Sequence, residues 1–159
     1  MTPQAVDKRK DGKVMSMTTV SNEYLELSIS SKGAELQSVK DWDGFERLWQ
    51  GDPAFWTGRA PVLFPVCGGL KDDVAYLNGE ALRLPKHGFA RRAEWTPETA
   101  DSTSATYLLK DKNPGFPYSY ELRARYQLEG KSLRVIYTVK NTDSRSFLCS
   151  LGSHEAWAT

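Results

Sequence analysis

Cysteine is scarce in this 159-residue chain: Cys67 and Cys149 stand far apart and lack CxxC spacing. A local zinc or thiol-redox motif is therefore excluded, and two free, buried thiols in a reducing compartment are expected. An excess of either charge is also missing. Lys+Arg number 21 and Asp+Glu 20, for a formal net charge of +1, so no global field draws the chain to nucleic acid or an anionic membrane. No apolar run is long enough to span a bilayer. The opening "MTPQAVDKRKDGKVMSM" is polar and basic with no apolar region behind it, so it is not a secretory signal. These absences predict a soluble, cytoplasmic protein whose partner is a small molecule, with no nucleic acid and no membrane among its partners. A loose tail is expected over residues 1–17, before a single domain. Repeats and low-complexity tracts are lacking too, as is any convincing 3.6-residue apolar stripe.

What the sequence does have is period two, the mark of strands with one wet face. In "EYLELSIS", Leu25, Leu27 and Ile29 alternate with Glu26 and Ser28. In "YELRARYQLEGKSLRVIYTVKN", Leu122, Ala124, Tyr126 and Leu128 alternate with charged or polar residues. After Glu129-Gly130 the pattern resumes at Leu133, Val135, Tyr137 and Val139, predicting a long antiparallel hairpin. Asn78-Gly79 in "VAYLNGEALRL" predicts a second hairpin with a tight primed turn. Shorter strands are expected at "ELQSVKD", "SATYLLK" and "SFLCSLGS". The fold class that follows is mainly β, an antiparallel β-sandwich rather than a small closed barrel. Between the early strands, "WQGDPAFWTGRAPVLFPVCGGL" carries three prolines and several large aromatics. Each proline removes a ladder donor, so this is an ordered connection that either binds a ligand or plugs a sheet edge.

Only two histidines occur, His87 in "LPKHGFARR" and His154 in "SLGSHEAW". Either alone is as compatible with a hydrogen-bonded structural role as with proton transfer. Their separation is far too large for a local metal motif such as HExxH, so any meeting is made by the fold. No serine sits in a GxSxG elbow, neither cysteine has a neighbouring base, and no GxxxxGK loop is present.

Five segments, "GRAPVLFPVCGGLKDD", "YLNGEALRLPKHGFAR", "FPYSYELRARYQL", "LRVIYTVKNTD" and "LGSHEAW", resemble in order the N-terminal half of the aldose 1-epimerase, or galactose mutarotase-like, family. The resemblance covers about residues 22–157 and implies that residues 18–159 are the N-terminal half of a large antiparallel β-sandwich, incomplete at the C terminus. It further implies interconversion of α and β anomers of a hexose or hexose 6-phosphate, without cofactor or metal. Anomer exchange needs a general acid at the ring oxygen and a general base at the C1 hydroxyl. By resemblance His154 is the acid, His87 orients the sugar, and Arg91 binds a hydroxyl or phosphate through its planar fork. Arg59 is a second substrate-binding candidate. Trp56, Phe64, Phe89 and Trp157 offer rings that either face sugar or pack the core.

Family members run to roughly twice this length. Their glutamate base and a sugar-binding aspartate lie in the half that has no counterpart here, and Gly69 stands where many relatives carry arginine. Glu155, adjacent to His154, points to the opposite face of a strand and is a poor substitute. The expectation is therefore a truncated mutarotase with impaired catalysis, exposed edges and a tendency to self-associate. A non-catalytic sugar-binding sandwich module is the alternative.

Overall fold

The structure is a computed structural model that describes residues 16–110 and 112–158. In chain order the strands are β1 (Met17–Ser21), β2 (Leu25–Ser30), β3 (Leu36–Asp41), β4 (Val62–Leu63), β5 (Val74–Leu77), β6 (Glu80–Arg83), β7 (Thr96–Ala100), β8 (Ser104–Leu109), β9 (Tyr120–Glu129), β10 (Ser132–Asn141) and β11 (Gly152–Ser153). The tail expected over residues 1–17 lies outside the described residues as far as position 15. Met17 already pairs with Ser30 in β1.

β1, β2 and β3 form one antiparallel sheet, and β10, β9, β8 and β7, in that order, form a second. Period two explains both. Leu27 and Ile29 are fully buried, as are Leu122, Ala124 and Tyr126 from the facing sheet, while Arg125 and Glu129 are exposed. Each buried aliphatic side chain of this kind contributes about 1.5–3 kcal/mol. Two tyrosines cross-link the layers: the Tyr126 hydroxyl donates to Ala34 O at 2.6 Å and the Tyr107 hydroxyl to Ile29 O at 3.3 Å. A phenol buried this deeply must spend its O–H on a partner, and these carbonyls satisfy it.

Both predicted hairpins form. β5 and β6 turn at Asn78 (φ 52°) and Gly79 (φ 80°), the two positive values a primed turn requires. β9 and β10 pair from Ser132 opposite Glu129 to Asn141 opposite Tyr120. The strand expected at "SFLCSLGS" is a correction. Only Gly152–Ser153 pairs, with β4, and residues 146–151 run as irregular chain. Phe147 is instead held by ring contacts to Phe116 and Tyr118 at 5.1 and 5.4 Å. The thiols are also a correction: Cys67 and Cys149 are free but exposed, because both sit in unpaired chain. No helix among the described residues is long and apolar enough to cross a membrane.

Candidate active site

β4 is short because Pro61 and Pro65 bracket it, yet it organises the site from both flanks. On one side β11 pairs with it, Gly152 opposite Leu63 and Ser153 opposite Val62. The next amide, from His154, donates to Pro61 O at 3.2 Å, and the Ala156 amide donates to Arg59 O at 2.9 Å. These bonds fix the backbone that carries His154.

On the other side, the HGFAR turn docks on the end of β4. The amides of Phe89 and Ala90 donate to Phe64 O at 3.0 and 3.3 Å. A Cβ on Gly88 would lie 2.1 Å from that same oxygen, and Gly88 has φ +68°. Glycine is thus required both for close approach and for a left-handed backbone. His87 itself has φ +67°, an uncommon conformation for a residue with a side chain and one that tends to occur where function holds it.

The His87 ring is oriented by a reciprocal pair of bonds with the preceding loop. The His87 amide donates to Gly68 O at 2.7 Å, and the Gly68 amide donates to His87 Nδ1 at 3.1 Å. An Nδ1 that accepts carries no proton, so this network assigns the neutral tautomer with hydrogen on Nε2. Electrostatics agree: burial, then the positive charges of Arg91 and Lys86 and the His154 ring, hold the His87 pKa below its ordinary value. His87 is therefore built as a neutral hydrogen-bond donor.

The two imidazoles meet. Their ring centroids are 6.3 Å apart at 70°, and both line a cavity of about 250 Å³ together with Trp56, Pro61, Leu63, Lys86 and Arg91. Arg91 lies in the 3-10 turn Ala90–Arg92 and spends Nη2 on Lys86 O at 3.0 Å, while its Nε has no partner among the described residues. Arg59 is not brought in. Its guanidinium donates to Gln37 Oε1 at 2.8 Å and to Gln50 O at 3.0 Å, so it ties β3 to the following connection outside the cavity. Phe64 is fully buried, Phe89 packs against the core, and exposed Trp157 is also not a wall of this cavity.

No carboxylate lines the cavity among the described residues. Glu155 follows β11 in irregular chain and is not a wall of the cavity; its charge, added to the larger effect of burial, raises the Tyr137 phenol to about 12. A second cavity of about 310 Å³, walled mainly by Leu70, Leu77, Leu82, Leu84 and Leu148, holds neither imidazole. Both imidazoles line the smaller one.

Comparison with known proteins decides the family. The aldose 1-epimerase family model matches residues 16–159. The chain belongs to the aldose 1-epimerase family. It is similar to the plasmid-encoded protein LacX of Lactococcus lactis subsp. lactis, at 37% identity over 145 residues, 86% of this chain and 48% of that protein. Among solved structures it resembles a galactose mutarotase related enzyme from Lactobacillus acidophilus, with TM-score 0.85 and 35% identity over 89% of this chain and 48% of that one. A galactose mutarotase-like protein from Lactobacillus casei gives the same TM-score and identity, over 89% of this chain and 49% of that one. The chain spans about half the length of the curated relatives it matches.

Within this family setting, sequence reasoning missed Lys86 as a cavity wall, although it adjoins His87. Gly69 leaves space that a larger residue would fill, since a Cβ there would meet only Lys86 Cγ, at 4.0 Å. Lys86 is thus the cation beside the position where many relatives were expected to carry arginine.

Proposed function

We propose that the cavity binds the pyranose form of a hexose or hexose 6-phosphate and that its two histidines serve anomer interconversion. The observation that carries this reading is the convergence of His87 and His154, at 6.3 Å, on one cavity with Arg91. In the ring-opening step His154, as an imidazolium, gives a proton to the ring oxygen while the bond from C1 to that oxygen breaks. The C1 hydroxyl loses its proton to a base and becomes the aldehyde. Rotation about C1–C2 and reversal of the same transfers close the ring as the other anomer. The neutral His87 donates from Nε2 to a sugar oxygen and orients the ring. Arg91 and Lys86 supply positive charge for a hydroxyl or a phosphate.

The base is the open element, because the cavity walls include no carboxylate among the described residues. A second reading is sugar binding without turnover. Losing one partner of an acid–base pair forfeits ~10²–10⁴-fold in rate. Polarimetric mutarotation with galactose, glucose and glucose 6-phosphate, beside calorimetric titration, separates the two. Turnover abolished by His154→Ala supports the enzyme, binding without turnover supports the module, and no binding of any sugar defeats both.

A further inference from the structure

We infer that Trp56 is the stacking wall of the cavity, holding the apolar C–H face of a pyranose so that the ring oxygen meets His154. This rests on the function proposed above and names a positioning residue for it. The indole borders the cavity, with its ring centroid 5.1 Å from that of His154 at 46°.

Trp56 is not packed as a core tryptophan. Trp95, which is, stands 1% exposed with Nε1 bonded to Ala90 O at 2.9 Å. Trp56 is half-buried, and its own indole N–H has no hydrogen-bond partner among the described residues. It is nevertheless held in place. Its amide donates to Asp52 O at 2.9 Å, and its carbonyl accepts from Trp49 Nε1 at 2.7 Å. Beneath the ring, a Cβ on Gly58 would lie 2.5 Å from Trp56 Cζ2 and 2.7 Å from Cε2. Glycine at 58 is what lets the indole settle against the main chain.

The lining is consequently of mixed character: Trp56, Pro61 and Leu63 are apolar, whereas Lys86, His87, Arg91 and His154 bring nitrogen groups. A pyranose has the matching character, a patch of C–H groups on one face and a rim of hydroxyls. A rigid aromatic ring contacts such a face at little cost in conformational entropy. Inorganic phosphate would engage only the nitrogen groups.

The test uses the full chain, uniformly labelled with nitrogen-15. Indole N–H signals are followed while galactose, glucose or inorganic phosphate is added, with the Trp56 signal assigned by its loss in Trp56→Phe. The expected result is that galactose or glucose moves the Trp56 signal and that saturating aromatic protons transfers magnetisation to sugar C–H groups. Trp56→Ala should weaken binding on the order of tenfold, with Trp56→Phe affected less. Gly58→Ala should shift the Trp56 signal before sugar is added and weaken binding several-fold, although it removes no group that touches the ligand. Far-UV circular dichroism checks that each variant keeps its β signal. Wild-type affinity in a folded Trp56→Ala, or equal movement of the Trp56 signal by inorganic phosphate, overturns the stacking role while leaving the proposed function standing. Absence of sugar binding to the unaltered chain overturns both.

Discussion

Gly88→Ala isolates the contact on which the HGFAR turn depends. The added Cβ would sit 2.1 Å from Phe64 O, 2.5 Å from Phe64 C and 2.8 Å from the Pro65 nitrogen. All three atoms are main chain, so relief requires moving the turn off β4 rather than swinging a side chain aside. The left-handed φ of +68° costs about 1 kcal/mol in itself for an alanine. Separating the turn weakens the Phe89 and Ala90 amide bonds to Phe64 O, at about 1 kcal/mol each. The total is about 3 kcal/mol. With a urea slope of about 2 kcal/mol/M the unfolding midpoint should fall by about 1.5 M. Gly44→Ala is the control, because Gly44 shares the conformation, φ +77°, yet a Cβ there meets nothing within 4 Å. Its midpoint should fall by only about 0.5 M. Urea unfolding followed by circular dichroism reads both variants. Equal losses in the two would refute the claim that close approach, rather than backbone conformation, fixes glycine at 88.

Three further outcomes follow from the structure. Burial and neighbouring positive charge depress the His87 pKa, so its ring protons should titrate by NMR with a midpoint below 6.5, and a midpoint at or above that value contradicts the depression. Below pH 6.5 the unfolded chain takes up the proton more readily than the folded one. This contribution is therefore whole above that pH and lost as the pH falls through the folded pKa. Tyr126→Phe strips Ala34 O of its buried partner and should cost about 1–3 kcal/mol by urea unfolding, whereas a loss under 0.5 kcal/mol would remove the inter-layer role. Both thiols should react with a disulfide reagent in the native state, Cys149 more slowly because burial and then the nearby Cys67 raise its pKa; protection of either until denaturant is added would contradict their exposure.

The sandwich was legible wherever pairing and burial act on the same residues. Leu122, Ala124, Tyr126 and Leu128 alternate in the sequence and are buried on β9, because a strand's two faces meet different solvents. The Asn-Gly turn was legible for a local reason, the positive φ of both residues. β7 was not, since "TPETA" is exposed at every position and contains Pro97, which an edge strand tolerates. Residues 146–151 misled in the opposite sense. Phe147 and Leu151 have apolar character that serves aromatic and loop packing, and residues 146–151 join no ladder among the described residues.

At the site, nothing local in the sequence brings His87 to His154. Their meeting is made by β4, paired with β11 on one flank and bonded through Phe64 to the HGFAR turn on the other. The ordered motifs pointed to that convergence only by resemblance. Arg59 lies inside a motif, and only the structure shows that its guanidinium donates to Gln37 and Gln50 rather than lining the cavity. Trp56 shows the converse. Its half-buried ring and its support by Gly58 are features of the fold, invisible in a list of aromatic residues.

The central claim is that two distant imidazoles share one sugar cavity. Galactose or glucose titrated into the chain with its histidine rings labelled tests this directly. The account predicts that the His87 and His154 ring signals both move and saturate with a single dissociation constant. Movement of one ring alone, or of the two with unrelated constants, would contradict it.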